Sequence, residues 1–165
     1  ATYSYAERTY EDFLFSNDAD AWYDEFDGRV GFVVTRDLPH LGLVASATVQ
    51  SCLHERFGGA ISSDLGGVGH FQALYATESG DGARKVFRVV PGATLRGTVE
   101  GVDAVRLVAD VSVPGADFEY VRFAPVIDGS FEVTVGNPGR YRIEDHGLVV
   151  DVPERAVRRG EVRRF

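Results

Sequence analysis

The run Lys85-Val86-Phe87-Arg88-Val89-Val90-Pro91-Gly92-Ala93-Thr94-Leu95-Arg96-Gly97 decides how the chain is read. Its first six residues form a dense apolar strand. Pro91-Gly92 interrupts the pattern, because proline fixes φ and glycine reaches conformations closed to other residues. A second apolar run follows at once. Ahead of this break helical and strand periodicities are mixed, and behind it only strand periodicity remains. The break is therefore the seam between residues 1–91, an α/β part, and residues 92–165, a β-rich part.

Ahead of the seam, Ser4-Tyr5-Ala6-Glu7 has capping-box spacing, with a hydroxyl at the N-cap and a carboxylate three residues on. Residues 5–15 then read as a helix from Ala6, Tyr10, Phe13 and Leu14, and a second helix carries Ala19, Trp22, Tyr23 and Phe26 on one face up to Gly28. Val30-Gly31-Phe32-Val33-Val34 is apolar at every side chain, the pattern of a strand buried on both faces in a parallel or mixed sheet. Leu43, Val44, Ala47, Cys52 and Leu53 predict a helix ending at Phe57-Gly58-Gly59, and the glycine-rich stretch from Gly58 to Gly69 reads as a surface loop. Strands are expected over Phe71 to Tyr75 and Lys85 to Val90.

Behind the seam, apolar and polar residues alternate around Val105 to Val113, Phe131 to Val135 and Tyr141 to Ile143, with further strands at Phe118 and at Leu148 to Val152. The separators are turn chemistry: Pro114-Gly115, Asp128-Gly129, Asn137-Pro138-Gly139 and His146-Gly147. Short strands at such spacing specify a small sandwich or barrel. The fold class expected is α+β, a helix-and-strand layer followed by a β-rich sandwich or barrel.

Charge and composition exclude several function classes. The net charge of −8 argues against general nucleic-acid binding. No run approaches the about 18–20 apolar residues of a membrane-spanning helix. Lys85 is the only lysine beside sixteen arginines, and an acidic, lysine-poor surface suits a salt-adapted protein. Methionine is absent and no signal peptide opens the chain, which reads as a piece of a longer protein. Cys52 stands alone in a helical pattern and reads as a small core residue. The acids cluster early, nine of them by Asp37, whereas Arg155, Arg158, Arg159, Arg163 and Arg164 crowd the end. That basic tail reads as a solvated terminal strand, with acidic headgroups or phosphate as the functional alternative.

No catalytic motif emerges from the residues themselves. His40, His54, His70 and His146 form no zinc-type pair, Ser62 and Ser63 stand outside a nucleophile elbow, and Gly66-Gly67-Val68-Gly69 lacks the lysine and hydroxyl of a phosphate loop. Asp18, Asp20, Asp24 and Asp27 lack the glycine and distal glutamate of a calcium loop. Tyr120, Phe123 and Tyr141 would stack on sugar rings if exposed, although their strand pattern favours the core.

Several stretches nevertheless resemble the C-terminal soluble region of archaeal oligosaccharyltransferases of the AglB type. These are His70-Phe71-Gln72-Ala73-Leu74-Tyr75, Lys85 to Ala93, Gly129-Ser130-Phe131 and Val152-Pro153-Glu154-Arg155-Ala156-Val157 with Gly160 after it. The helical pair over 4–26 and the strand after it resemble more loosely the segment behind that family's Trp-Trp-Asp-Tyr-Gly motif. The resemblance implies a parent that transfers a dolichyl-phosphate-linked glycan to the asparagine of N-x-Ser/Thr sequons in an acceptor polypeptide. It places this region on the extracytoplasmic side of the cell membrane, beside the membrane part of the same chain. The family's divalent metal, Mg or Mn, belongs to that membrane part, so no cofactor is expected in these residues and transfer activity is not expected of them alone. Trp22-Tyr23-Asp24 is not the sequon motif.

A second family element lines the Ser/Thr pocket with the form Asp-x-x-Lys-x-x-x-Met/Ile. Asp37, His40 and Val44 match its spacing with histidine in place of lysine, which would make the pocket's charge pH-sensitive. The same residues fit a purely structural role, with Asp37 capping the next helix and Val44 in the core. The rival to the transferase reading is a carbohydrate- or protein-binding β-module of a surface protein.

Overall fold

The computed structural model describes residues 23, 24, 26, 29–36, 49–60, 67–77 and 84–165. The elements in chain order are β1 (Phe32–Arg36), α1 (Val49–Arg56), β2 (Phe71–Ala76), β3 (Arg84–Val89), β4 (Ala93–Thr98), β5 (Ala104–Val113), β6 (Ala116–Pro125), β7 (Ser130–Val135), β8 (Gly139–Ile143), β9 (Val149–Val152), α2 (Glu154–Arg159) and β10 (Val162–Arg164). The architecture is β-rich α+β. The helix expected over 5–15, most of the one after it, and the Leu43, Val44 and Ala47 part of the third lie outside the described residues, although Tyr23, Asp24 and Phe26 are helical.

Three sheets result, ordered β1-β3-β2, β10-β4-β7 and β6-β5-β8-β9. The last two face each other across one core that includes Leu95, Leu107, Tyr120, Phe131, Tyr141, Ile143 and Val157. Alternation along each strand sends one set of side chains inward, which is the sandwich solution. Local turn chemistry sets the registers. Asp128 and Gly129 both adopt positive φ (51° and 76°), and Ile127 and Ser130 pair across them, as a two-residue type I′ hairpin requires. On the outer face of the four-stranded sheet, Arg106 pairs with Glu119 (3.4 Å) and Glu144, while Arg142 reaches Asp110 (3.4 Å) and Glu119 (3.6 Å).

A second core gathers Phe26, Val33, Cys52, Leu53, Phe57, Val68, Phe71, Ala73, Ala76 and Phe87 between α1 and the first sheet. Cys52 and Leu53 are fully buried there. Helix α1 stops where Phe57 turns left-handed (φ 53°) ahead of Gly58 (φ 89°). Lys85 donates to the carbonyl of His54 and lies 3.8 Å from the Phe57 ring centre, a cation at a helix C-terminus. The hairpin of β5 and β6 joins the two cores. Val113 and Phe118 pack against both, Phe118 stacks on Phe57 with ring centres 4.0 Å apart, and Ala76 donates its N–H to Pro114 (3.0 Å).

Three expectations need correction. The first sheet is antiparallel throughout, with β1 on its edge, and Phe32 and Val34 are 59% and 50% exposed rather than buried. Helix α1 takes up the face bearing Val33 and Thr35, whereas on the other face Glu154 meets Gln72 and Arg88 (both 3.5 Å) and Phe32 and Val34 stay exposed. The stretch from Gly58 to Gly69 is not simply surface: Gly58, Gly59, Val68 and Gly69 are buried, and Ala60 and Val68 donate to the carbonyls of Val121 and Gly58. The arginine-rich end is not one solvated strand. Pro153 opens α2, Ala156 and Val157 enter the sandwich core, and Gly160 (φ 70°) ends the helix so that β10 can pair in parallel with β4.

Candidate functional site

Asp37, His40 and Val44 lie outside the described residues, so their proposed pocket is placed by sequence alone. Two of the three described histidines bond within the scaffold: His54 Nδ1 bonds the Thr35 hydroxyl (3.0 Å), and His70 Nδ1 faces the carbonyls of Val90 (3.3 Å) and Pro91 (3.0 Å). Tyr23 stacks on His70 at 3.9 Å. Among the described residues no three His, Cys, Asp or Glu side chains converge as a metal site would require.

Three features stand out. The first is the outer face of the first sheet. Phe32 and Arg88 are register partners, as are Val34 and Val86, and Val86 pairs in turn with Tyr75. Phe32, Val34 and Tyr75 are all exposed, and the Arg88 guanidinium lies 5.9 Å from the Phe32 ring centre.

The second is an open cleft of about 510 Å³ at the β10-β4-β7 sheet, lined by residues from both of its faces. Register places Arg164, Arg96 and Glu132 in one row across it, and Arg96 Nε meets Glu132 at 2.6 Å. Phe131, Phe165 and Ile127 supply apolar walls, and Gly97 leaves room for the Phe131 ring. The cleft presents guanidinium, carboxylate and hydroxyl groups.

The third is a buried polar cluster that the sequence did not disclose. Asn137, fully buried, accepts the Ala73 N–H at Oδ1 (2.9 Å) and donates from Nδ2 to the Phe57 carbonyl (3.4 Å). Its own carbonyl accepts the Tyr141 hydroxyl (2.5 Å). The Tyr120 hydroxyl donates to Val68 (2.7 Å) and accepts from Gly136 (3.3 Å), and the Tyr120 and Tyr141 rings meet edge to face at 6.2 Å. Buried Nε and Nη1 atoms of Arg122 find no hydrogen-bond partner among the described residues. Tyr120 and Tyr141 are therefore structural, and neither is available to stack on a sugar. The only forewarning in sequence was the pairing of a lone turn asparagine with tyrosines on inward-facing strand positions.

Burial pushes both phenols up. At Tyr120 it outweighs the nearby Arg122 guanidinium and the Gly136 hydrogen bond, and at Tyr141 the Tyr120 neighbour adds to it. The unfolded chain loses these protons near pH 10, whereas the folded chain keeps them to higher pH. Stability from the pair is thus complete below about pH 10 and falls as pH rises beyond it. In an alkaline titration followed by tyrosinate absorbance, Tyr120 and Tyr141 should ionise only with unfolding. Smooth ionisation of all seven tyrosines before any loss of structure would contradict the burial.

The fold is thus a β-sandwich with an appended helix-and-sheet layer. No protein-family model matches this sequence, and no curated protein does. Among solved structures, the Archaeoglobus fulgidus oligosaccharyltransferase in complex with Zn and sulfate shares the fold, with a TM-score of 0.57 at 15% identity over 74% of this chain and 24% of that one. The AglB oligosaccharyltransferase of the same organism, in complex with an inhibitory peptide and a dolichol-phosphate, aligns less well: TM-score 0.45 at 22% identity over 53% of this chain and 12% of that one. The chain thus spans about a quarter of the transferase whose fold it shares.

Proposed function

We propose that this chain is the extracytoplasmic C-terminal region of an archaeal oligosaccharyltransferase of the AglB type. The parent would transfer a lipid-linked oligosaccharide to the asparagine of N-x-Ser/Thr sequons, and this region would support the acceptor pocket above a membrane active site. The observation that carries the reading is the fold shared with the A. fulgidus enzyme over 74% of the chain. The resemblance of Lys85 to Ala93 supports it independently. On this reading residues 1–91 belong to the soluble core and residues 92–165 to a peripheral β-rich domain. The two hydrophobic clusters support that division, bridged by the β5–β6 hairpin. No helix among the described residues is long and apolar enough to cross a membrane, so the spanning part would lie elsewhere in the parent. The acidic, lysine-poor surface fits a haloarchaeal source. Asp37, His40 and Val44 would line the Ser/Thr pocket, and the divalent metal would be held by acids of the membrane part.

The test is a transfer assay with a sequon peptide and a dolichyl-phosphate-linked glycan. The isolated chain should give no product. The parent should be active, and His40→Ala in it should raise the KM for peptide about tenfold with less effect on kcat, as lost ground-state binding does. Transfer by the isolated chain, or a parent gene with no multi-spanning region upstream, would end the proposal.

A further inference from the structure

We propose that the arginine-rich end of the chain, helix α2 with strand β10, is a docking surface for an anionic lipid bilayer. Residues 154–165 carry five arginines against two glutamates, in a chain that elsewhere is strongly acidic. The fold sorts these charges. Ala156 and Val157 are buried, which turns Arg155, Arg158 and Arg159 outward at i, i+3 and i+4 on one helical face. Gly160 then swings the chain into β10, an edge strand where Val162 is 46% exposed and Arg164 is exposed.

The ion pairs make the contrast. Arg106 and Arg142, on the four-stranded sheet, are matched by Glu119, Glu144 and Asp110. At the end of the chain Glu154 is drawn to Arg88 (3.5 Å), and Glu161 reaches only Arg155, at 3.9 Å. Among the described residues no carboxylate pairs with Arg158, Arg159 or Arg164. Their guanidinium groups are forked donors suited to phosphate oxygens. A basic patch of this kind can act locally on an anionic surface even in a chain whose net charge is negative. Exposed Val162 adds a small apolar contact at the level of the headgroups. The inference does not depend on the transferase reading, and the experiment below reads only this surface.

Screening gives the proposal a distinctive signature. The Debye length is about 30 Å at 0.01 M salt, about 10 Å at 0.1 M and about 3 Å at 1 M. At the lowest salt the acidic remainder of the chain is repelled by the bilayer, and at the highest even the patch is screened. Co-sedimentation of the whole chain with vesicles of phosphatidylglycerol and phosphatidylcholine should therefore peak near 0.1 M salt. There it should exceed binding to pure phosphatidylcholine about tenfold. The triple variant Arg155→Gln, Arg158→Gln, Arg159→Gln should lose most of that excess, and Arg158→Glu alone should lose several-fold. Arg106→Gln with Arg142→Gln should bind as the unaltered chain does. Near-ultraviolet circular dichroism would verify folding of each variant. Equal binding to neutral vesicles, unchanged binding by the triple variant and Arg158→Glu, or stronger binding to a single-stranded oligonucleotide than to the anionic vesicles would overturn the proposal.

Discussion

Replacing Asn137 with alanine should destabilise the fold by about 2–4 kcal/mol, because two buried backbone groups then lose their partner at once. The Ala73 N–H is held only by Asn137 Oδ1 among the described contacts, and the Phe57 carbonyl receives Nδ2. Neither can reach water where Asn137 now sits, since that residue is fully buried. The two groups belong to β2 and to the end of α1, so the substitution loosens the helix-and-sheet layer from the sandwich. Denaturant unfolding of the variant and of the unaltered chain gives the difference directly. In a chain of this length a loss of that size lowers Tm by roughly 5–15 °C. A loss below about 1 kcal/mol would mean that water or a neighbouring donor replaces the amide, and the clasp would not be what unites the layers.

Gly92→Ala should cost about 3 kcal/mol or more, from two sources that a control can separate. Gly92 has φ 75°, where an alanine is strained by about 1 kcal/mol. Its added methyl would also run into the Gly69 carbonyl and come within 2.6 Å of Thr134 Cγ2. The N–H of Gly92 meanwhile bonds Val157 (2.9 Å), so the backbone cannot swing aside without releasing α2. Gly101 has nearly the same φ, 79°, with nothing within 4 Å of the site of its missing Cβ. Gly101→Ala should therefore show the backbone term alone, about 1 kcal/mol. Unfolding curves for the two variants that coincide would show that crowding at the seam contributes nothing.

These two residues mark where sequence reading succeeded and where it stopped. Gly92 was legible because Pro91-Gly92 punctuates a change of periodicity, a purely local signal. The hairpin at Asp128-Gly129 was legible for the same reason: two positive φ values in a two-residue turn demand those residue types. Asn137 looked like ordinary turn chemistry, since its partners at Phe57 and Ala73 are far away in the chain. The strand at Phe32 was found, yet its exposure was not, because an apolar run reports burial only if something covers both faces. The basic end hid a helix, since a six-residue segment has too little periodicity to announce itself. The acceptor-pocket residues rest on spacing alone.

The sequence by itself determined the strands behind the seam, the turns between them, the acidic surface and the class of fold, all of which follow from alternation and from residue-specific backbone preferences. Tertiary structure alone decided that β1 is an antiparallel edge, that Tyr120 and Tyr141 are interior, that the β5–β6 hairpin bridges two cores, and that Arg158, Arg159 and Arg164 are exposed with no carboxylate partner among the described residues. Each of those depends on which distant segment comes to lie alongside, and burial, pairing and desolvation are properties of that neighbour as much as of the residue itself.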